Sequence, residues 1–308
     1  MLERRTLFTA GARRARTAAT AAITAVLLMA AGGAGGAQGQ PPAAPLQDRG
    51  PGVPTSNLGT YVGVGELLVE PAFEYRRNRD LEYNPVDLGF ASPSEYKGRY
   101  RESEELLFLA YGLSDRLAVE LEAGLIQASL RKAANDTSAL PERLTESGLG
   151  KLRTRLDWRW LTESGRRPEV FSYGEVFFPH DRGNRLVGSP DWVANAGAGV
   201  TRGFRWGTLT LRAGIKYEAA SASVTDWQEY AVEYLKRLSS KVSIVGAVVV
   251  VEGDEGYLVT QLQWHMSPRA DVKLTNRFGV TAQALSWTSN SFDWAPGIGV
   301  VLRFPSHR

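Results

Sequence analysis

The chain of 308 residues contains no cysteine and only three histidines. An exported protein without cysteine forms no disulfide bonds, so its stability must come from another source. His180, His265 and His307 lie far apart, and no set of these residues has the spacing of metal ligands. No glycine-rich phosphate loop precedes a helix either. We therefore expect no metal and no other cofactor.

Beyond its first forty or so residues the chain lacks any apolar run of about eighteen residues, which excludes membrane-spanning helices there. One shorter apolar run, 18–31, follows a basic segment with Arg4 and Arg5 and precedes small residues. This order is typical of a signal peptide, predicted for 1–37, that directs export and is then removed. An uncleaved membrane anchor is the alternative, although the run is short and rich in alanine. Five prolines between 41 and 54 predict a flexible periplasmic leader over 38–60.

The formal net charge is only +3 and the sequence pI is about 9.1. The arginine-rich leader supplies part of this basic excess, and elsewhere basic residues alternate with acidic ones. We therefore expect no nucleic-acid partner. The hydrophobic fraction of 43% and the 32 glycines are compatible with one large domain, placed at residues 61–308.

The mature chain contains many segments in which apolar residues alternate with polar or small residues. After a turn at 112–116, Leu117, Val119, Leu121 and Leu125 alternate with positions that include Glu120 and Glu122. Successive side chains of a strand point to opposite faces, so this segment has one apolar face and one charged face. The same pattern recurs over about twelve segments, near 66–76, 101–112, 116–128, 149–161, 168–178, 191–203, 206–219, 227–238, 241–252, 256–266, 269–279 and 292–304.

The connections between these segments are short after every even-numbered segment and mostly longer after the odd-numbered ones. Bacterial barrels combine short periplasmic turns, long outer loops and an even number of strands. We therefore predict an all-β protein: a transmembrane antiparallel up-and-down barrel in the outer membrane of a Gram-negative bacterium. A soluble β-sandwich would also show alternation, so aromatic positions matter more. Seven aromatic residues fall near predicted strand ends, where membrane interfaces favour them: Tyr111, Trp158, Trp160, Trp192, Tyr217, Trp264 and Trp294.

Charged residues occupy the opposite faces of the same strands. A lysine or arginine facing lipid at mid-depth costs about 2–4 kcal/mol, so these residues are expected to face the lumen. They either contact a solute or pair with each other to fill the barrel, and the basic row of Arg153, Arg155 and Arg159 is the strongest candidate for solute contact. The candidates are Glu120, Glu122, Lys151, Arg153, Arg155, Arg159, Arg212, Lys216, Glu229, Glu233, Lys273 and Arg277.

Three motifs resemble a known family. They are Glu66-Leu67-Leu68-Val69-Glu70-Pro71-Ala72-Phe73-Glu74-Tyr75, the turn Tyr111-Gly112-Leu113-Ser114-Asp115-Arg116-Leu117, and Gly148-Leu149-Gly150-Lys151-Leu152. They are similar to segments of the outer-membrane transporters named for the MetA pathway of phenol degradation, although Lys151 replaces an acidic residue. The resemblance covers about a third of the mature chain. It implies a barrel that passes small hydrophobic or aromatic molecules, and it assigns no binding residue.

From these patterns we expect a non-enzymatic channel for passive uptake of small hydrophobic or aromatic solutes. Its other partners would be outer-membrane lipid, lipopolysaccharide and the barrel assembly machinery. Two alternatives stay open: a structural barrel that transports nothing, and an outer-membrane lipid hydrolase. His265 and Ser267 resemble the His-x-Ser pair of outer-membrane phospholipases. However, both residues fall at a predicted periplasmic turn, and the alternation of the strand turns the His265 side chain toward the lumen. No catalytic residue is therefore predicted.

Overall fold

The structure, a computed structural model, describes residues 48–50, 52–92, 94–180, 183–187, 192–218, 224–251, 255–280 and 292–305. The predicted signal peptide therefore lies outside the described residues, as do 38–47 of the predicted leader. Within the described part of the chain, no helix is long and apolar enough to span a membrane.

Twelve antiparallel strands form one closed barrel, which confirms the predicted fold class. Each strand pairs with the next in the chain, and the last strand closes the barrel against the first. Two shorter strands, β1 (Val53–Pro54) and β2 (Tyr61–Val62), form a separate hairpin. The barrel strands are β3 (Leu67–Tyr83), β4 (Tyr96–Gly112), β5 (Leu117–Arg131), β6 (Arg143–Leu161), β7 (Glu169–Phe177), β8 (Val193–Phe204), β9 (Gly207–Glu218), β10 (Val224–Arg237), β11 (Val242–Val251), β12 (Glu255–Ser267), β13 (Ala270–Gly279) and β14 (Trp294–Phe304).

The apolar face of each strand points out of the barrel. In β5, Leu121 and Leu125 are exposed, whereas Glu120 and Glu122 between them are buried. An exterior of leucine, valine and aromatic side chains around a polar interior is stable only where lipid surrounds it, and closure of the ladder leaves no unpaired strand edge. The chain is accordingly an outer-membrane β-barrel protein.

The four strands β3 to β6 extend beyond their predicted ends. β3 continues from the predicted 76 to Tyr83, and β6 begins at Arg143 instead of 149. The extensions carry charged residues such as Arg77, Asp80 and Glu146, whose polarity obscures the two-residue period. All these extensions lie at the end of the barrel with the long connections, which we call the long-loop end. The opposite, short-turn end is the predicted periplasmic one.

Part of the predicted flexible leader is folded inside the barrel. Residues 53–62 form the β1–β2 hairpin, in which Val53 pairs with Val62 and Pro54 with Tyr61. Val53, Tyr61 and Val62 are all buried. The residues from Val53 to Thr60 are thus folded in the structure, although their sequence predicts a flexible leader. The hairpin is held by side chains of distant barrel strands, and such contacts leave no periodic signal in the local sequence.

Candidate functional site: a lumen closed by the hairpin

The hairpin tip, residues 55–60, lies across the lumen and is bonded to strands all round the wall. Four of its wall partners are Glu70 on β3, Glu120 on β5, Glu233 on β10 and Lys273 on β13. Each partner lies three or four residues from the short-turn end of its strand. The contacts therefore form one layer across the barrel, so that the hairpin acts as a plug in the short-turn half of the lumen.

Arg153 and Glu120 hold one side of this plug. The Ser56 backbone amide donates to Glu120 Oε1 at 2.8 Å, and the Ser56 hydroxyl donates to Glu120 Oε2. Arg153 Nη2 donates to Ser56 Oγ at 2.8 Å and to Glu122 Oε2 at 2.7 Å, while its Nη1 lies 2.5 Å from Glu175 Oε2. Arg153 is thus the centre of a network that joins β5, β6, β7 and the plug.

The predicted basic row on β6 is matched by acidic residues. Arg155 pairs with Asp157 at 2.8 Å and stacks over the Tyr173 ring at 3.7 Å. Arg159 lies 3.4 Å from Glu169 and donates to the backbone oxygen of Gly52 at 2.5 Å. Together with the Arg153 contacts, these pairs leave no excess positive charge for an anionic solute. Glu169 and Glu175 are not among the predicted lumen residues, because the segment that forms β7 has no clear alternation in its sequence.

The opposite side of the plug is held by β10 and β13. The Gly59 backbone amide donates to Glu233 Oε1 at 3.0 Å, and Arg212 Nη2 lies 3.5 Å from Glu233 Oε2. Lys273 Nζ donates to Thr60 Oγ1 at 2.5 Å and to Glu70 Oε2 at 3.0 Å. Hydrogen bonds to charged groups contribute about 1.5–3 kcal/mol each, so the plug is bound firmly although its contacts are polar.

Residues just before the hairpin anchor it at the short-turn end. Arg49 forms two parallel hydrogen bonds of 2.9 Å with the Glu169 carboxylate and lies over the Tyr61 ring at 4.6 Å. Asp48 Oδ1 accepts a hydrogen bond of 3.0 Å from the backbone amide of Arg237. The chain therefore enters the barrel through the end with the short turns.

An apolar cluster lies inside the barrel at the long-loop end. It packs side chains of β3, β4 and β5 with side chains of the β3–β4, β5–β6 and β7–β8 connections, and Phe90 and Leu144 join its edge. The buried members are Leu81, Tyr83, Leu88, Tyr96, Tyr100, Ile126, Ala128, Leu130, Ala133, Leu140, Leu186 and Val187. The lumen is therefore polar where the plug lies and apolar toward the long loops.

Polar contacts hold the loops over this cluster. The Tyr83 hydroxyl donates to Asp136 Oδ2 at 2.7 Å, and the Ser138 amide donates to Asp136 Oδ1 at 2.7 Å. Burial opposes ionisation of Asp136, but these hydrogen bonds outweigh it and hold the pKa of Asp136 below its usual value. On the other side, Glu146 accepts hydrogen bonds from the backbone amides of Arg185 and Leu186.

The structure places the predicted lumen residues on the inner wall. Most are buried, while Lys151, Arg153, Glu229 and Arg277 are half-buried. Glu120 lies directly opposite Arg155, and Glu122 opposite Arg153. Lys151 pairs with Glu122 at 2.7 Å, and Arg277 with Glu74 at 3.3 Å. Lys216 is also buried. Their contact with a solute stays a prediction.

The seven predicted interface aromatics all point outward near strand ends. Their exposed fractions lie between 40% for Tyr111 and 57% for Trp160. Tyr111, Trp158, Trp160 and Trp264 lie near the short-turn end, whereas Trp192, Tyr217 and Trp294 lie near the long-loop end. This arrangement in two bands is compatible with the predicted membrane interfaces.

His265 does not pair with Ser267 but with side chains on two neighbouring strands. Its Nε2 lies 2.9 Å from Ser243 Oγ on β11, and its Nδ1 lies 2.7 Å from Asp271 Oδ1 on β13. This order of hydroxyl, imidazole and carboxylate is that of a hydrolytic triad. Ser243 is only 1% exposed, so a substrate has no access to its hydroxyl in this structure. Among the described residues, no group of three or more acidic or histidine side chains has a geometry that could hold a metal ion.

Comparison with known proteins identifies the fold but no family. No family model matches the chain, and no curated protein matches it. The COG4313 outer membrane channel from Pseudomonas putida F1 is 13% identical, with a TM-score of 0.56 over 79% of this chain and 97% of that one. The NanC porin is 9% identical with a TM-score of 0.44 over 77% and 98% of the two chains. The CymD monoaromatic hydrocarbon channel is 10% identical with a TM-score of 0.36 over 80% and 90%. The first likeness shows a shared barrel fold, and membership of the MetA-pathway family stays a prediction.

Proposed function

We propose that this protein is an outer-membrane channel for passive uptake of small hydrophobic or aromatic molecules, closed at rest by its own N-terminal hairpin. The observation that carries the proposal is the division of the lumen. An apolar, tyrosine-rich interior at the long-loop end is followed by a polar plug held through hydrogen bonds and ion pairs. A barrel that served only as a scaffold would not need a separate, side-chain-anchored plug.

The division of the lumen also favours a class of solute. The apolar cluster consists of buried aromatic and aliphatic side chains and contains few groups that would hold a sugar or an ion. The charged residues deeper in the barrel already pair with each other and with the plug. A solute reaches this apolar cluster, near the predicted cell exterior, when the loops over it move. A charged solute meets no row of opposite charge that lacks partners.

Entry of N-phenyl-1-naphthylamine into intact Gram-negative cells tests this proposal. This uncharged aromatic probe fluoresces in lipid, and lipopolysaccharide slows its entry. We expect cells that produce the chain to take up the probe several-fold faster than cells that produce an unrelated barrel. A proton uncoupler should leave the rate unchanged, since passive flow needs no energy. Equal rates in the two strains would contradict the proposal.

A hydrolase is the second candidate, because one observation favours it: the contacts of His265 with Ser243 and Asp271. In that case the Ser243 hydroxyl would attack an ester carbonyl while His265 takes its proton. A fluorophosphonate probe would then label the native protein, and Ser243→Ala would abolish the labelling. Because Ser243 is buried, we expect no labelling of either form. Labelling of the native protein alone would establish the hydrolase instead.

A further inference from the structure

Five arginines form a cluster on the barrel at its long-loop end, on the extended parts of β3 to β6. Arg77 lies directly opposite Arg101, and Arg131 lies opposite both Arg99 and Arg143. We call these five residues the outer arginine patch. Like charges that lie opposite each other on neighbouring strands are destabilising. The patch therefore needs a counter-charge.

The outer arginine patch faces away from the lumen. On β4, Arg99 and Arg101 are exposed, whereas the alternate residues Tyr100 and Glu102 are buried. The same alternation continues along the strand to Leu107, which is exposed on the lipid-facing side. The arginines and the lipid-facing leucines therefore belong to one continuous outer surface.

The patch lies at the height of a membrane interface. Arg101 is ten residues from Tyr111, which belongs to the aromatic band at the short-turn end. A strand of this length spans about 33 Å, and a tilt of about 40° reduces the rise to about 25 Å, the height of the apolar band of a bacterial barrel. Arg77 also lies opposite Trp294, which belongs to the aromatic band at the long-loop end. The patch therefore begins where the hydrocarbon layer ends.

The barrel supplies no ion-pair partner to the patch. Among the described residues, none of its five guanidinium groups pairs with an acidic side chain, in contrast to the arginines of the lumen. The acids Glu102 and Glu104 on β4 are turned inward, where both pair with Arg76. Arg143 Nε donates to the neutral Ser129 Oγ at 2.9 Å.

The acidic residues on the outer face of these strands lie outside the patch. Glu82 lies opposite Lys97, farther from the membrane, and Asp80 follows Arg79 at the bulge in β3. Glu105 lies on β4 toward the middle of the membrane. The patch therefore keeps an excess of positive charge on the surface that lipid headgroups contact.

Hydroxyl and amide groups follow the patch toward the middle of the membrane. On β5 the next outward positions are Ser129 and Gln127, and then Leu125. Ser103 and Ser147 lie opposite Gln127 on the two neighbouring strands. Cations are thus followed by hydrogen-bonding groups and then by apolar side chains. A phosphorylated glycolipid has the matching order of phosphates, sugars with amide groups, and acyl chains.

We propose that the outer arginine patch is a binding site for the phosphates of lipopolysaccharide in the outer leaflet. Arginine presents a planar fork of donors that matches a phosphate, and such charge-assisted hydrogen bonds are roughly twice as strong as neutral ones. The sugars then contact Gln127 and Ser147, and the acyl chains cover Leu125. This inference does not rest on the proposed channel function. It needs only the outer-membrane barrel and the predicted orientation of the long-loop end toward the cell exterior.

The arginines take the place of the divalent cations that otherwise neutralise these phosphates. Binding should therefore persist when EDTA removes divalent cations from the solution. Rising salt should weaken it, because the site lies on the surface and salt screens exposed charges.

Native mass spectrometry of the full chain in detergent tests the site, with bisphosphorylated lipid A as the probe and EDTA present. The variant is Arg99→Gln with Arg101→Gln and Arg131→Gln. We expect this triple variant to bind lipid A about tenfold or more weakly than the native protein, since charge-assisted contacts are lost. Native affinity in the triple variant would overturn the site.

The matched control removes the same charge from the other end of the barrel. It is Arg116→Gln with Arg166→Gln and Arg205→Gln, three exposed arginines at the short-turn end. This control should bind lipid A like the native protein. Equal weakening in both variants would show only an effect of net charge and would also overturn the site.

Two further probes identify the ligand. Lipid A without its phosphates and the anionic lipid phosphatidylglycerol should each bind the native protein about tenfold or more weakly than intact lipid A. Equal binding of the dephosphorylated form would contradict recognition of phosphate. Equal binding of phosphatidylglycerol would make the patch a site for any anionic lipid and would overturn its assignment to lipopolysaccharide.

The temperature at which heat-modifiable migration is lost gives a second readout and verifies folding. Without anionic lipid, the Arg99, Arg101 and Arg131 variant should unfold at the native temperature or above it, because repulsion between like charges is relieved. Lipid A should raise the unfolding temperature of the native protein and of the control, but not that of this variant. A rise of the same size in all three proteins would contradict the proposal.

Discussion

Replacement of Arg153 by leucine is expected to lower the free energy of unfolding by about 3–5 kcal/mol, the cost of removing one partner of a buried ion pair. Arg153 is the shared partner of Glu122 and Glu175, and it also bonds to Ser56 of the plug. Its removal leaves the Glu122 carboxylate with Lys151 as its remaining ion-pair partner, and it leaves Glu175 with Asn195 at 2.8 Å and Arg155 at 3.7 Å. The measurement is the urea midpoint in detergent micelles, followed by tryptophan fluorescence and by heat-modifiable migration.

Two further variants separate the ionic network from general effects of losing a charge. Arg116→Leu changes an exposed arginine whose nearest acid, Asp115, is 3.9 Å away, so a change below about 1 kcal/mol is expected. A triple variant with leucine at Arg153, Glu122 and Glu175 removes the charges together and should recover much of the lost stability. A small effect of Arg153→Leu alone would show that water reaches the carboxylates and that the lumen is not closed.

The sequence was sufficient to predict the barrel, because its signals are local. Alternation, turn residues and the rhythm of short and long connections each depend on neighbouring residues. Twelve segments such as 116–128 therefore matched the strands of the structure to within a few residues, except at the extended ends of β3 to β6. The inward orientation of Glu120 and Arg155, which lie opposite each other on adjacent strands, followed from the alternation within each strand.

The closed state could not be predicted in this way, because its contacts are not local. Ser56 bonds to Glu120 and Arg153, which lie 64 and 97 residues away along the chain. The composition of the surrounding segment is that of a proline-rich leader. Its two strands are too short to show an alternation of apolar and polar residues. The balance of charge near Arg153 was missed for a related reason, since Glu175 lies on a strand without clear alternation.

Loss of the side-chain contacts that hold the plug is expected to open the channel. Ser56→Ala, Asn57→Ala and Thr60→Val together remove the hairpin hydroxyl and amide groups that bond to Glu120, Arg153, Glu70 and Lys273. If each substitution weakens docking by about 1.5 kcal/mol, the total of about 4.5 kcal/mol changes the ratio of open to closed channels by up to about two-thousandfold. The barrel wall itself is unaltered by these three substitutions.

Thr55→Val is the matched control for this triple variant. Within the part of the chain that the structure describes, the Thr55 hydroxyl bonds to two backbone oxygens of the hairpin, those of Asn57 and Thr60, and to no wall residue. Its loss weakens the turn without removing a contact to the wall. We therefore expect a channel that stays mostly closed, which separates docking of the plug from the internal stability of the hairpin.

Single-channel recording in planar bilayers tests the central claim, closure of the lumen by the hairpin, most directly. Native protein and Thr55→Val should show rare, brief openings at moderate voltage, whereas the triple variant should show long openings of constant conductance. A native channel that conducts steadily, with the same conductance and open time as the triple variant, would contradict the claim.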